Sequence, residues 1–193
     1  RNEKAVIDYF NSHCPDIVVL AAAKVGGIQA NIESPGDFLY DNLAIQNNVI
    51  ENSRRVGVNK IIFLGSSCIY PRECRQPMRE EDLFSGPLEP TNEGYAIAKI
   101  AGLKLVEYYK RQHKMSGISL MPCNLYGTND SFDPQHSHVL SAMVRKFCDA
   151  RENNTKEVTL WGTGEARREF MHVDDIARGV IHFFDQVVTS CTF

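Results

Sequence analysis

No apolar run in these 193 residues approaches the roughly 20 needed to cross a bilayer. The longest, such as Ile17 to Ala23, read as buried strands, and nothing marks a membrane protein. Massed positive charge is missing too. Lys and Arg number 21 against 24 Asp and Glu, a formal charge of −3, and the cations are spread along the chain. That leaves no broad footprint for nucleic acid, although a local cationic pocket stays open. Six cysteines (Cys14, Cys68, Cys74, Cys123, Cys148 and Cys191) include no CxxC pair and follow no secretory signal. The reading is therefore reduced thiols in a cytoplasmic protein rather than a disulfide framework, since a chain of this size needs no staples. Also lacking is the Gly-rich turn that normally opens a dinucleotide-binding sheet. Gly26-Gly27 is no substitute, because it has neither the third glycine nor the spacing that starts a helix against phosphate. The first residue is Arg1 and not Met, so the expectation is a chain that has been cut, processed or left incomplete.

What is present is ordinary globular material: 43% hydrophobic and 23% charged residues, which exclude disordered and fibrous classes. Apolar spacing predicts helices over Lys4–His13, Asp37–Val56, Tyr95–His113, Ser137–Arg151 and Val173–Val188. Short apolar runs predict strands at Asp16–Ala23, Lys60–Gly65, Ile118–Cys123 and Val158–Trp161. Between the second strand and the third helix runs a loop rich in Pro, Glu and Arg, Pro71–Asn92. This alternation predicts an α/β fold, a Rossmann-type parallel sheet lacking its first βαβ part, with a portion of a smaller substrate lobe. The expected division is 1–129 for the dinucleotide-binding part and 130–193 for the partial lobe and returning segments.

Chemistry concentrates where a strand gives way to a loop. Ser66 follows the Lys60–Gly65 run, and Tyr95 and Lys99, four apart, share one helix face. Ligands bind outside the carboxyl ends of strands in such sheets, so the three can meet in one crevice. A tyrosine titrates near pH 10 and carries protons poorly at neutrality; a nearby ammonium is expected to draw it toward the working range. The Ser66 hydroxyl can donate to or accept from a carbonyl oxygen. Together they suit protonation of a ketone oxygen while a hydride arrives from a nicotinamide.

The strings LAAAKVGGIQAN (20–31), GSSCIYP (65–71), EPTNEGYAIAK (89–99), NLYG (124–127), Ser137-His138-Val139, WGTG (161–164) and REFMHVDD (168–175) closely resemble the GDP-L-fucose synthase family of extended short-chain dehydrogenases. The likeness runs through nearly the whole chain. It implies epimerisation at C3 and C5 of GDP-4-keto-6-deoxy-D-mannose and then NADPH-dependent reduction at C4, with the complete enzyme a homodimer. It also implies catalytic roles for Ser66, Cys68, Tyr95, Lys99 and His138. Cys68 and His138 would move protons beside the ketone, and a thiol and an imidazole suit that task. By the same likeness Ala21, Ala22, Ala23, Leu64, Gly65, Ser66, Ser67, Tyr95, Lys99, Pro122, Cys123, Asn124, Leu125 and His138 would line NADP(H), and Lys146, Trp161 and Arg168 would hold the GDP-sugar. The helices Asp37–Val56 and Tyr95–His113 resemble those that pair in family dimers.

This sequence departs from the family pattern at several points. Lys146 stands where Arg is frequent, keeping the charge without the bidentate fork. Gly94 and Thr128 replace common prolines and Ser131 a usual Asn, with Gly94 expected to loosen the start of the helix. The pair His136 and His138 suggests a metal only weakly, since two ligands without a third are usually coincidental. His172-Val173-Asp174-Asp175 reads as the start of a helix, and the charged stretch Arg72–Asp82 as a solvated face without a role. Two other functions fit the same residues: a truncated, non-catalytic binding or dimerisation protein, and an epimerase or dehydratase for another nucleotide sugar. The residues that choose between NADP and NAD belong to the Gly-rich turn and the end of the second strand, which are absent here.

Overall fold

The computed structural model describes residues 1–133, 137–160 and 162–185. Its first elements are a helix α1 (Glu3–His13), a strand β1 (Ile17–Leu20), a short helix α2 (Ile28–Glu33) and a long helix α3 (Pro35–Arg55). Asn2 caps α1 by accepting from the Ala5 amide at 3.1 Å, and Cys14 ends it in the left-handed conformation, φ 40°. Next come β2 (Lys60–Leu64), α4 (Glu93–His113) and β3 (Gly117–Leu120). A second unit follows: β4 (Asn124–Tyr126), α5 (Val139–Glu152), β5 (Phe170–His172) and α6 (Val173–Asp185).

Strands β1, β2 and β3 lie side by side in that order and all parallel, with Val18 opposite Ile61 and Ile62 opposite Ile118. Because side chains alternate along a strand, a strand covered on both faces is apolar at successive positions, as β2 is from Ile61 to Leu64. Ile61 and Phe63 pack with Leu20, Ile50, Ile69, Leu103, Val106 and Met115 beneath α3 and α4. Ile62 points the other way, to Ile118 and Val180, so α6 covers the opposite face. Lys60 reaches that last helix too, donating to the Phe183 carbonyl at 3.3 Å.

α3 and α4 approach closely because Gly102 has no side chain. A Cβ there would lie 2.5 Å from Cζ of Phe63 and 2.8 Å from Oε1 of Gln46. Gln46 is 3% exposed and donates to the Ala98 carbonyl at 2.7 Å, which satisfies its amide inside the interface. Gly94 has a similar task. A Cβ on it would stand 2.5 Å from the Pro35 carbonyl oxygen, so the glycine admits the first turn of α4 against the start of α3 rather than loosening it.

Three further differences from the sequence reading have physical causes. Val158–Leu160 is not a strand: the Thr159 carbonyl is taken by the Lys146 ammonium at 3.0 Å, and the nearby ladder forms elsewhere, between β4 and β5. Trp161, the end of that expected strand, lies outside the described residues, as do His136 and the stretch 186–188 that was expected to end the last helix. β4 and β5 are three residues each and too short to show a period, so pattern reading passed over them. α2 was missed for the same reason, a single helical turn and a half after Gly27.

Candidate active site

The site is assembled where β2 leaves the sheet. Gly65 continues the ladder past Leu64, donating its amide to the Leu120 carbonyl at 2.8 Å, and Ser67 does the same to Pro122 at 3.3 Å. Gly65 is buried, and a side chain there would run into Met121 and sit 3.3 Å from the Leu120 oxygen. Ser66 then opens one turn of 3-10 helix, Ser67–Ile69, by accepting from the Cys68 amide at 3.4 Å. Ile69, 1% exposed, anchors that turn in the core, which fixes Cys68 beside Ser66.

α4 brings the other two groups. Lys99 is 4% exposed and donates from Nζ to the Leu64 carbonyl at 2.8 Å. Its ammonium lies 5.0 Å from the centroid of the Phe63 ring and 5.6 Å from that of Tyr95. The Ser66 hydroxyl stands close enough to the Tyr95 phenol and the Cys68 thiol to pull both pKa values down against burial, and the Lys99 charge acts on Cys68 in the same direction. Four of the five residues expected to be catalytic therefore meet.

Their protonation follows from burial. Burial pushes the Tyr95 phenol well above its ordinary value, Cys68 adds to this, and the Ser66 hydrogen bond offsets only part. The expected downward pull of Lys99 on Tyr95 is not what the structure shows: the ammonium spends its hydrogen bond on Leu64, and desolvation of the phenol dominates. Burial likewise raises Cys68, with Ser66 and Lys99 opposing, and lowers Lys99 itself to about 8. At neutral pH the site holds a neutral phenol, a neutral thiol and an ammonium close to titrating.

His138 is placed differently. It is exposed, serves as the N-cap residue of α5 without a side-chain cap bond, and shares no hydrogen bond with the other four among the described residues. Its neighbour Ser137 is near the loop after β1, since a Cβ on Gly27 would lie 3.5 Å from the Ser137 carbonyl oxygen. The first turn of α5 is tied down by Ser141, 4% exposed, whose hydroxyl donates to the Asp130 carboxylate.

Ala21, Ala22 and Ala23 follow the carboxyl end of β1, the first two exposed and the third half-buried. Asn42, 2% exposed, holds the residue after them on both sides, accepting from the Lys24 amide at 2.8 Å and donating to its carbonyl at 3.0 Å. Pro122, Cys123, Asn124 and Leu125 are half-buried and lead from β3 into β4. Asn124 donates to the Glu169 carbonyl at 3.1 Å, and its strand pairs with β5, which draws Arg168 toward the same edge. Lys146 is exposed on α5, engaged with Thr159. Among the described residues no group of His, Cys, Asp and Glu could hold a metal ion, and no helix is long and apolar enough to cross a membrane.

Residues 1–190 match the model of the NAD dependent epimerase/dehydratase family. The chain belongs to that family. Among its relatives, GDP-L-fucose synthase of Escherichia coli (strain K12) is 52% identical over 184 residues, covering 95% of this chain and 57% of that one. GDP-L-fucose synthase 1 of Arabidopsis thaliana is 52% identical over 181 residues, 94% of this chain and 56% of the other. The chain thus spans little more than half the length of these relatives. Among solved structures, a GDP-L-fucose synthetase from Naegleria fowleri bound to NADP superposes with a TM-score of 0.83 at 30% identity, covering 95% of this chain and 60% of that one. A GDP-6-OMe-4-keto-L-xylo-heptose reductase from C. jejuni gives 0.88 at 36%, covering 96% and 62%. The Rossmann-type parallel sheet expected from the alternation of elements is shared with these family structures.

Two groups at the turn before α4 had no role in the sequence reading. Glu89 caps the turn before α4, accepting from the Thr91 amide at 3.2 Å and hydroxyl at 3.0 Å. Arg72 faces it at 3.6 Å. The signal for Glu89 was a carboxylate two residues before a Thr and next to Pro90, a capping pattern; Arg72 carried none, sitting in a stretch of mixed charge.

Proposed function

We propose that this chain carries the proton-transfer centre of an enzyme that epimerises C3 and C5 of GDP-4-keto-6-deoxy-D-mannose and reduces its C4 ketone with NADPH, giving GDP-L-fucose. The observation that carries the reading is the meeting of Ser66, Cys68, Tyr95 and Lys99 at the carboxyl end of β2. In this reading Ser66 and Tyr95 hold the C4 oxygen, and the neutral phenol donates its proton there as the alkoxide forms. Lys99, pinned by Leu64, sets the charge behind the phenol and faces the cofactor ribose. Cys68 stands as a thiol and so gives a proton to one face of the carbanion beside the ketone. His138, at the start of α5, is the second carrier in this reading.

The residues present fit a dinucleotide. Small side chains (Ala21 to Ala23, Gly65, Ser66, Ser67) occupy the carboxyl edges of β1 and β2, and a Cβ at Gly65 would run into the Met121 side chain. Leu64, Tyr95, Lys99, Pro122 to Leu125 and His138 complete the expected contact set. When bound, the nicotinamide supplies the hydride. Lys146, Trp161 and Arg168 are the proposed GDP-sugar contacts, with guanidinium-to-phosphate pairing as the role of Arg168. Residues 1–129 form the cofactor part and 130–193 the substrate lobe in this reading. We also propose a cytoplasmic homodimer paired through α3 and α4, whose Tyr40, Ile97 and Tyr108 are 72%, 42% and 49% exposed.

The test is NADPH oxidation by the complete enzyme with the keto-sugar. Tyr95→Phe is expected to cut reduction by about 100-fold or more while deuterium from solvent still enters C3 and C5. Equal reduction rates would reject Tyr95 as donor and with it the reading.

A further inference from the structure

The His138 side chain makes no cap bond to its own helix, so the place of its imidazole is decided by the backbone that carries it. That backbone is the start of α5, where the His138 carbonyl accepts from the Ala142 amide at 2.9 Å. Two supports hold this turn. On one side the Ser137 carbonyl oxygen lies 3.5 Å from where a Cβ on Gly27 would stand, so the loop after β1 rests against the residue before His138. On the other side stands Asp130, half-buried. One of its carboxylate oxygens accepts from the Ser131 amide at 2.8 Å. The other accepts from the hydroxyl of Ser141, which is 4% exposed and 11 positions further along the chain. Ser141 sits three residues beyond His138, in the first turn of α5. Asp130 is anchored in turn. Its amide donates to the Gly127 carbonyl at 3.3 Å, and Gly127 is wedged against the start of α6, where a Cβ would lie 2.5 Å from the Val173 side chain. Gly127 directly follows β4, whose ladder with β5 ends in the pairing of Tyr126 with His172. A path of bonded and packed groups therefore runs from that ladder through Asp130 and Ser141 to the backbone of His138. The contrast is Asp149, whose ion pair with Arg145 at 2.8 Å joins two residues of α5 to each other.

We propose that Asp130 is a positioning residue for His138: through Ser141 it fixes the first turn of α5 and so governs the epimerisation stage, while hydride transfer at C4 does not depend on it. This rests on the reading of His138 as the second proton carrier. A proton is exchanged only over hydrogen-bond distance, and a displacement of about 1 Å can slow a reaction by about 100-fold. A histidine without a cap bond inherits any shift of the helix that bears it. The groups that serve reduction do not share that dependence. Tyr95 and Lys99 are carried by α4, Lys99 is tied to the Leu64 carbonyl, and Ser66 is fixed by the turn that Ile69 anchors in the core. Loss of the Asp130 contact is thus expected to separate two stages that act on one substrate.

The complete enzyme and its Asp130→Ala, Asp130→Asn, Ser141→Ala, His138→Asn and Asp149→Asn variants make the test, with two readouts. One is entry of solvent deuterium at C3 and C5 of the keto-sugar without NADPH. The other is the isotope effect on NADPH oxidation when the transferred hydrogen is deuterium. Asp130→Ala is expected to slow deuterium entry about tenfold, to leave the NADPH dissociation constant unchanged, and to lower the isotope effect toward one, because proton exchange then limits the rate. Ser141→Ala is expected to match it, with the double variant no slower than either single, since both remove one contact. Ser141→Ala takes away only a hydroxyl and decides the matter alone if Asp130→Ala does not fold. Asp130→Asn keeps an acceptor for the Ser141 hydroxyl and is expected to restore most of the rate. Asp149→Asn is expected to behave as the wild type. A fall in NADPH oxidation with an unchanged isotope effect, or weakened NADPH binding, overturns the inference by making Asp130 a general support of the fold. Unchanged deuterium entry in Asp130→Ala and Ser141→Ala beside slow entry in His138→Asn overturns it and leaves the reading of His138 standing. Ordinary entry in His138→Asn removes that reading and the inference together.

Discussion

Lys99 gives the sharpest physical handle on the site. The residue is 4% exposed, with one hydrogen bond from its ammonium among the described residues, to Leu64, and its pKa falls from an ordinary 10.5 to about 8 because burial penalises the charged form. At about 1.4 kcal/mol for each pH unit, that displacement corresponds to roughly 3 kcal/mol of folding free energy. The sign follows from proton counting. Between about 8 and 10.5 the unfolded chain keeps the proton that the folded chain has released, so stability rises with pH across that window. Below about 8 both states are charged and the folded one bears the full burial cost. Lys99→Met removes the titrating group while roughly keeping its volume. Urea unfolding midpoints of wild type and variant, measured from pH 7 to pH 10.5, should give a stability difference that moves in favour of the wild type by roughly 3 kcal/mol. Cys68 and Tyr95 titrate upward-shifted in both proteins and contribute the opposite slope, which the difference removes to first order. A difference that stays flat with pH would show that Lys99 is not held in a desolvated place and would refute the arrangement from which the site was built.

Two further outcomes test the packing and the thiol. Gly102→Ala should lower stability by about 2 kcal/mol, the scale of overpacking in a filled core, because the Phe63 ring it meets at 2.5 Å is itself 1% exposed and cannot retreat; an unchanged melting temperature would contradict this. Cys68 should alkylate with iodoacetamide at pH 7.5 about tenfold or more slowly than exposed Cys14, gaining only as pH rises above its elevated pKa, and comparable rates by mass spectrometry would show the thiol is not buried as described.

Long periodic elements were legible in the sequence, and their causes are local. The apolar run Ile61–Leu64 in β2 and the helical stripe of α4 each report their own burial, so their positions followed from pattern alone. The meeting of Ser66 with Tyr95 followed from the rule that crevices lie beyond strand ends. What did not follow depended on contacts between segments far apart. The β4–β5 ladder joins residues 46 positions apart through three-residue strands, and no window of sequence contains both. The sign of the Tyr95 shift was misjudged because charge proximity is visible in a four-residue spacing, whereas desolvation depends on what Ser66, Cys68 and the core place around the phenol. Gly94 was read as looseness since a lone sequence cannot show that Pro35 is waiting opposite it.

Under the proposed function one pocket would serve two reactions, and the protonation pattern bears on how. Reduction needs an acid at the ketone oxygen, and burial keeps Tyr95 in the neutral form that can donate. Epimerisation needs a group that first removes a proton, which neither a buried phenol nor a buried thiol does readily. In the proposed function the carrier that begins is therefore the one outside the buried cluster, His138, exposed at the start of α5. Once a carbanion forms, Cys68 is already protonated and can return a proton from within the cleft. The loss of that proton is eased by the Lys99 charge and the Ser66 hydrogen bond, the two influences that pull the thiol down against burial. Lys99 holds the Leu64 carbonyl at the end of β2, and in the proposed function its ammonium would also balance whichever of Cys68 or the C4 oxygen is negative at a given step. Burying a cation that far costs stability, and the cost is the condition for its field to reach both groups unscreened.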